Sequence, residues 1–181
     1  AHTVHRSVPR AVAQRVDQVA GRHGLAPFTV VCTAIGAALA EAMDVDTPVV
    51  GVPVDLRWRL ADSEETVSFL VETAAVVLPE VLERPPTETM AAVRDAVATA
   101  LQDPAPFEEV VDGVRRAGGL PPMGTPVHAY VTWLDGGEAA TLGAGGPRVT
   151  HLDPPVGQAK FDLSWTVVDR AGDLALRLEY D

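Results

Sequence analysis

The sequence predicts an α/β domain in which helices pack on a mixed β-sheet, and three observations carry that prediction. Two helix-period segments stand near the start of the chain, two Val-rich runs of strand length follow them, and an alternating hairpin closes it. With 181 residues, 47% of them hydrophobic, the chain can bury one sizeable core, so residues 1–181 are read as a single unit. It begins at Ala1 and enters a helical pattern within about ten residues, which reads as part of something longer.

Ser7 is placed to cap the first helix, with Pro9 in its first turn and Val12, Val16 and Val19 on one face. Gly21 and Gly24 supply its stop. From Ala26 to Met43, alanines surround Phe28, Val31, Cys32, Ile35 and Leu39, the pattern of a buried helix. Strands are expected over Thr47–Val54 and Val67–Leu78, neither alternating cleanly, as when both faces are covered. Met90, Val93, Val97 and Leu101 form the stripe of a helix over Thr87–Leu101, and a shorter helix runs from Pro106 to Arg116.

The last third alternates. Val127, Ala129, Val131 and Trp133 share one face of a strand, with His128, Tyr130 and Thr132 on the other. A Gly-rich loop over Gly136–Gly146 and a short strand over Arg148–Leu152 follow. The closing hairpin then sets Phe161, Leu163, Trp165 and Val167 on one side, turns through DRAGD, and returns with Leu174, Leu176, Leu178 and Tyr180.

Charge excludes two classes of partner. The formal net charge of −11 opposes approach to nucleic acid or to an anionic membrane surface, and Lys160 is the single lysine. No apolar run approaches the roughly 18 residues of a membrane-spanning helix. A lone Cys32 closes no internal disulfide and builds no zinc-type spacing, so no metal site and a reducing, cytoplasmic compartment are expected.

Catalytic motifs are missing: GxSxG, a phosphate-binding Walker loop, HExxH, CxxC and a strand-to-helix GxGxxG do not occur. LGAGGPRV has the glycines of a phosphate loop without the strand and helix that would converge its amides. Among five histidines, His2, His5 and His23 fit solvated or helix-end roles, and His151 stands beside Asp153. His128, on a face with Tyr130 and Thr132, fits either a polar cleft or a satisfied half-buried ring. Glu64 with Glu65, and Glu108 with Glu109, are neighbours in sequence rather than carboxylates opposed across a substrate.

Five segments, in order, resemble the condensation domains of nonribosomal peptide synthetases. They are VVGVPVDLR (Val49 to Arg57), VSFLVETAAVV (Val67 to Val77), QDPAPFEEVV (Gln102 to Val111), TPVHAYVTW (Thr125 to Trp133), and the closing KFDLSWTVVDRAGDLALRLEYD. The resemblance implies a chloramphenicol-acetyltransferase-like fold of two subdomains, of which this chain would be the C-terminal one. It implies amide formation between a carrier-bound acyl or peptidyl thioester and an acceptor amine. The HHxxxDG motif that does the chemistry in that family belongs to the other subdomain and is absent. HAYVTWLDG has a His and an Asp-Gly at the wrong spacing, so no catalytic residue is expected in this chain.

By the same resemblance, Arg57 would form the structural ion pair between subdomains, and Glu72, Thr73, His128, Ser164 and Trp165 would be the channel-lining candidates. No cofactor would bind directly; the phosphopantetheine arm of a peptidyl carrier protein would bring the substrates. The expected partners are the N-terminal condensation subdomain, the carrier protein and neighbouring synthetase domains. The surface meeting the missing half would be an exposed apolar patch through which the chain can dimerise. Ser68, Glu72, Val77, Thr125 and His128 depart from the family's pattern. They leave open an altered substrate, a non-condensing variant such as an epimerase-like or cyclising domain, or a degenerate copy. The alternative functions are a non-catalytic scaffold that recruits a carrier protein or a tailoring enzyme, and a freestanding ester-forming acyltransferase of the same fold.

Overall fold

A computed structural model describes residues 2–63, 65–120, 124–136, 159–170 and 172–181. The expected loop beyond Gly136, the strand over 148–152 and the His151–Asp153 pair lie outside the described residues.

Six strands form one mixed sheet: β1 (His2–Ser7), β2 (Val49–Asp55), β3 (Val71–Val77), β4 (Ala129–Asp135), β5 (Leu163–Arg170) and β6 (Asp173–Tyr180), in the order β1-β6-β5-β4-β2-β3. β4 runs parallel to both β2 and β5, and the other pairings are antiparallel. Four helices accompany it: α1 (Arg10–His23), α2 (Pro27–Met43), α3 (Pro86–Gln102) and α4 (Phe107–Arg116).

The opening segment departs from expectation. Residues 2–7 are not a lead-in to a helix but the edge strand β1, paired along its length with β6. Ser7 therefore ends a strand, and Pro9 holds the position ahead of α1 with no side-chain cap. The buried face of α1 is Ala13 and Ala20, whose small side chains allow the helix to lie close, whereas Val16 and Val19 are half-buried and Val12 is 49% exposed. Gly24 ends α1 in the left-handed conformation, φ 63°, with its N–H and that of Leu25 returned to the last-turn carbonyls. Gly21 is inside the helix.

α2 supplies most of the helical side of the core. Cys32, Ile35, Leu39 and Ala40 pack with Val50, Val52 and Val54 of β2, Ala74 and Val76 of β3, Ala129 and Val131 of β4, and Val93 and Val97 of α3. Gly36 is the point of closest approach, where an added Cβ would sit 2.5 Å from Leu78 Cδ1. A second cluster joins Ala13 to Val167 and Leu174. Val67, expected to open the second strand, is fully exposed, and β3 starts four residues later at Val71.

At the closing turn Arg170 pairs with Asp173, Gly172 takes φ 90°, and its N–H is received by Asp169 Oδ1 at 2.9 Å. The face of β5 is also adjusted: Leu163, Trp165 and Val167 turn to the core, while Phe161, ahead of the strand, stacks on Tyr130.

Two outcomes follow from this core. Leu78 is completely buried, so Leu78→Ala should cost about 2–5 kcal/mol, read as a lower urea midpoint with an unchanged slope. Burial pushes the Cys32 thiol from 9.0 up to about 12. Its contribution to stability is therefore full below about pH 9 and is lost as pH rises towards 12. Thiol reagents at pH 8 should leave the native chain unlabelled and react once it is unfolded in urea.

Candidate functional site

The alternation of the strands leaves the sheet with two unlike faces. Val50, Val52, Ala74, Val76, Ala129 and Val131 look towards α2 and α3. The alternate residues therefore look the other way: Gly51 and Pro53 on β2, Thr73 and Ala75 on β3, Tyr130 and Thr132 on β4, Ser164 and Thr166 on β5.

Thr73, Tyr130 and Ser164 come together on this second face. Tyr130 pairs in register with Gly51 on one side and with Ser164 on the other. Gly51 makes the row possible, because a Cβ there would stand 3.0 Å from Tyr130 Cδ2 and 3.1 Å from Thr73 Cγ2. The Tyr130 ring is sandwiched from above by Phe161, centroids 4.6 Å apart and planes within 5°, and Phe107 of α4 meets Phe161 edge-on at 6.1 Å. Burial raises the pKa of the Tyr130 hydroxyl, with the Thr73 and Thr132 hydroxyls opposing that shift. The site is thus a hydroxyl row beside an aromatic clasp, suited to orienting a ligand by hydrogen bonds.

The other predicted channel residues fall elsewhere. Trp165 alternates with Ser164 and packs against the core beneath α2, on the wrong face to share a channel with it. Glu72 turns its Oε1 back onto the N–H of Thr73 at 2.8 Å, which protects the edge strand β3 rather than reaching Ser164. His128 is a half-buried ring whose Nδ1 accepts the N–H of Val49 at 2.9 Å, while the backbone N–H of His128 donates to the Val49 carbonyl at 2.8 Å.

Arg57 stands at the start of the connection between β2 and β3 and is occupied within the chain. Its Nη1 lies 3.3 Å from Asp55 Oδ1, and its Nη2 reaches the carbonyls of Thr66 and Ser68 at 3.4 and 3.1 Å. Ser63 donates its hydroxyl to the Arg57 carbonyl at 2.8 Å. The guanidinium thereby ties the loop between β2 and β3 together, Asp55 to Thr66 and Ser68. That loop presents Trp58, Leu60, Val67 and Phe69 to solvent, with Phe69 82% and Trp58 62% exposed. A groove of about 680 Å³ runs along it, lined by Arg57, Trp58, Leu60, Ala61, Asp62 and Glu65. Arg59 covers the Trp58 ring at 5.0 Å and pairs with Asp103 at 2.7 Å.

Sequence reasoning passed over Tyr130 and the loop aromatics as site residues. The alternation of β4 already placed Tyr130 on the polar face, and Trp58 was an aromatic flanked by Arg57 and Arg59 rather than by apolar neighbours, whereas Phe69, among Val67, Leu70 and Val71, carried the pattern of a strand. No group of three or more His, Cys, Asp or Glu able to hold a metal ion occurs among the described residues.

No family model matches the chain. Two curated proteins are similar over nearly all of it. Tyrocidine synthase 2 of Brevibacillus parabrevis is 29% identical over 178 residues, 96% of this chain and 5% of that protein. Phosphinothricin tripeptide synthetase PhsC of Streptomyces viridochromogenes is 27% identical over 178 residues, 97% of this chain and 16% of that protein. The chain thus spans a small fraction of the curated relatives it matches.

Solved structures agree at the level of fold. The condensation domain of the monacolin K polyketide synthase MokA superposes with a TM-score of 0.77 at 17% identity, covering 99% of this chain and 41% of that one. The first condensation domain of the CDA synthetase gives 0.72 at 17% identity, over 99% and 39%. The X-domain solved in complex with OxyB from teicoplanin biosynthesis gives 0.75 at 20% identity, over 99% and 40%. Likeness of sequence and likeness of fold, each over nearly the whole chain, converge: this chain is similar in sequence to nonribosomal peptide synthetases and has the fold of a condensation domain.

Proposed function

We propose that the chain is the C-terminal, acceptor-side subdomain of a chloramphenicol-acetyltransferase-like condensation domain. In this reading it forms one wall of the channel in which a carrier-bound acyl or peptidyl thioester meets an acceptor amine. The observation that carries the reading is the braced apolar loop between β2 and β3. Trp58, Leu60, Val67 and Phe69 stand in solvent on one connection, a concentration of apolar side chains that marks an interaction surface. The chain spans 39–41% of the condensation-domain structures it superposes on, so the occupant proposed for that surface is the companion N-terminal subdomain.

The chemistry fits a wall better than a complete centre. Amide formation from a thioester and an amine is served mainly by holding the two in attack geometry. The hydroxyls of Thr73, Tyr130 and Ser164 can orient polar groups of an extended substrate, while the base that takes the amine proton would come from the companion. Phosphopantetheine arms of carrier proteins would present both substrates, in keeping with relatives that are peptide synthetases.

A second reading is a non-catalytic scaffold that recruits another protein. It draws on the X-domain, a domain of this fold solved as a complex with a second protein, OxyB.

Amide formation from carrier-loaded donor and acceptor should be absent with this chain alone and appear when the polypeptide is extended upstream to include the companion. Turnover by the chain alone contradicts the half-domain reading, and an inactive extended protein that binds a second protein favours the scaffold. The isolated chain should self-associate through the uncovered loop, and Phe69→Asp should return it to monomer in sedimentation velocity; monomeric wild-type chain at high concentration would contradict an adhesive surface. Arg57→Ala should leave the unfolding midpoint nearly unchanged, because the guanidinium is partly solvated, yet increase amide exchange over residues 57–68.

A further inference from the structure

The sheet has one narrow seam. β2 pairs with β3 through seven residues, β4 with β5 through six, and β5 with β6 through eight, but β2 and β4 share only two pairs, Val50 with Ala129 and Gly51 with Tyr130. Beyond Gly51 the ladder stops, and Pro53 has no N–H to extend it. At the other end the ladder is continued by a side chain. The Val49 carbonyl receives the His128 N–H, and the Val49 N–H, which a longer parallel strand would hand to a carbonyl, is taken instead by His128 Nδ1. The ring must carry its proton on Nε2 to accept there.

This seam divides the residues of the hydroxyl row. Thr73 belongs to the β2–β3 side, while Tyr130 and Ser164 belong to the β4–β5 side. Two parallel pairs specify register weakly, and a one-residue slip would turn Tyr130 to the core face.

We propose that His128 is the latch of this seam, a positioning residue whose imidazole fixes the register of β2 against β4 and with it the placing of Thr73 beside Tyr130. The inference stands on the hydrogen bonds and the strand pairing, and it holds whether the chain serves a catalytic channel or a docking surface. Any polypeptide in which the latch is replaced needs another acceptor for the half-buried Val49 N–H, protein or solvent, since a donor left without one loses a hydrogen bond.

The test is made on the full chain by nuclear magnetic resonance. A scalar coupling between the Val49 amide nitrogen and His128 Nδ1 is expected, with imidazole nitrogen shifts of the Nε2–H form. His128→Leu should speed amide exchange at Val49 by about ten-fold or more and weaken the contact between the Thr73 methyl and the Tyr130 ring, with β5 and β6 unaffected. His128→Asn, whose amide oxygen can stand where Nδ1 stood, should restore both. Absence of the coupling overturns the proposal, as does a Leu variant in which Val49 exchanges at the wild-type rate. Should the Leu variant fail to fold, the wild-type coupling and the Asn variant decide: an Asn variant with an unprotected Val49 amide counts against the latch.

Discussion

Everything in this molecule is arranged around the burial of one face of one sheet. The apolar layer formed by α2 and α3 on β2, β3 and β4 is where the hydrophobic contribution to folding is concentrated, and Gly36 permits the helix to settle against Leu78 without a side chain between them. Since strands alternate, committing Val50, Val52, Ala129 and Val131 to that layer commits Gly51, Tyr130 and Thr132 to the opposite face. The hydroxyl row is thus a consequence of the core's register. It does not need its own stabilisation, because Tyr130 is held by Gly51 below and Phe161 above.

The loop between β2 and β3 leaves Trp58, Leu60, Val67 and Phe69 in solvent. α1, α2 and α3 pack on one face, Phe107 of α4 reaches the other beside Phe161 and Tyr130, and the loop braced by Arg57 extends from the β2–β3 end of the sheet. The bonds of Arg57 to Asp55, Thr66 and Ser68 are exposed enough to exchange partners, and they hold Trp58 and Phe69 in solvent rather than letting them fold back onto the protein. The acidic balance of the chain, −11 overall, favours partners with basic surfaces and disfavours nucleic acid throughout.

Periodicity made most of the elements legible. α2, α3 and the closing hairpin were readable because each buries its own contiguous stripe, so local pattern and tertiary packing say the same thing. β1 was not readable: His2–Ser7 has no alternation of its own and becomes a strand only because β6, some 170 residues later, offers an edge. The face of α1 was read in part: Val16 and Val19 are half-buried, but full burial went to Ala13 and Ala20, whose small side chains carry little hydrophobic signal, and Val12 was left outside. Val67 and Phe69 look like strand residues and lie outside β3, since no neighbouring strand reaches them.

The site was legible in part, for similar reasons. Thr73 and Ser164 could be placed on one face by counting, and Trp165 fell on the other by the same count. The fate of His128 and Glu72 could not be counted, because each is decided by a single hydrogen bond to a backbone N–H, one of them across 79 positions. The central claim, that this chain is one wall awaiting another, is tested most directly by hydrogen exchange with and without the companion subdomain. The account predicts that joining the two protects residues 57–70 and leaves β1 and β6 unchanged; exchange over 57–70 that is indifferent to the companion would contradict it.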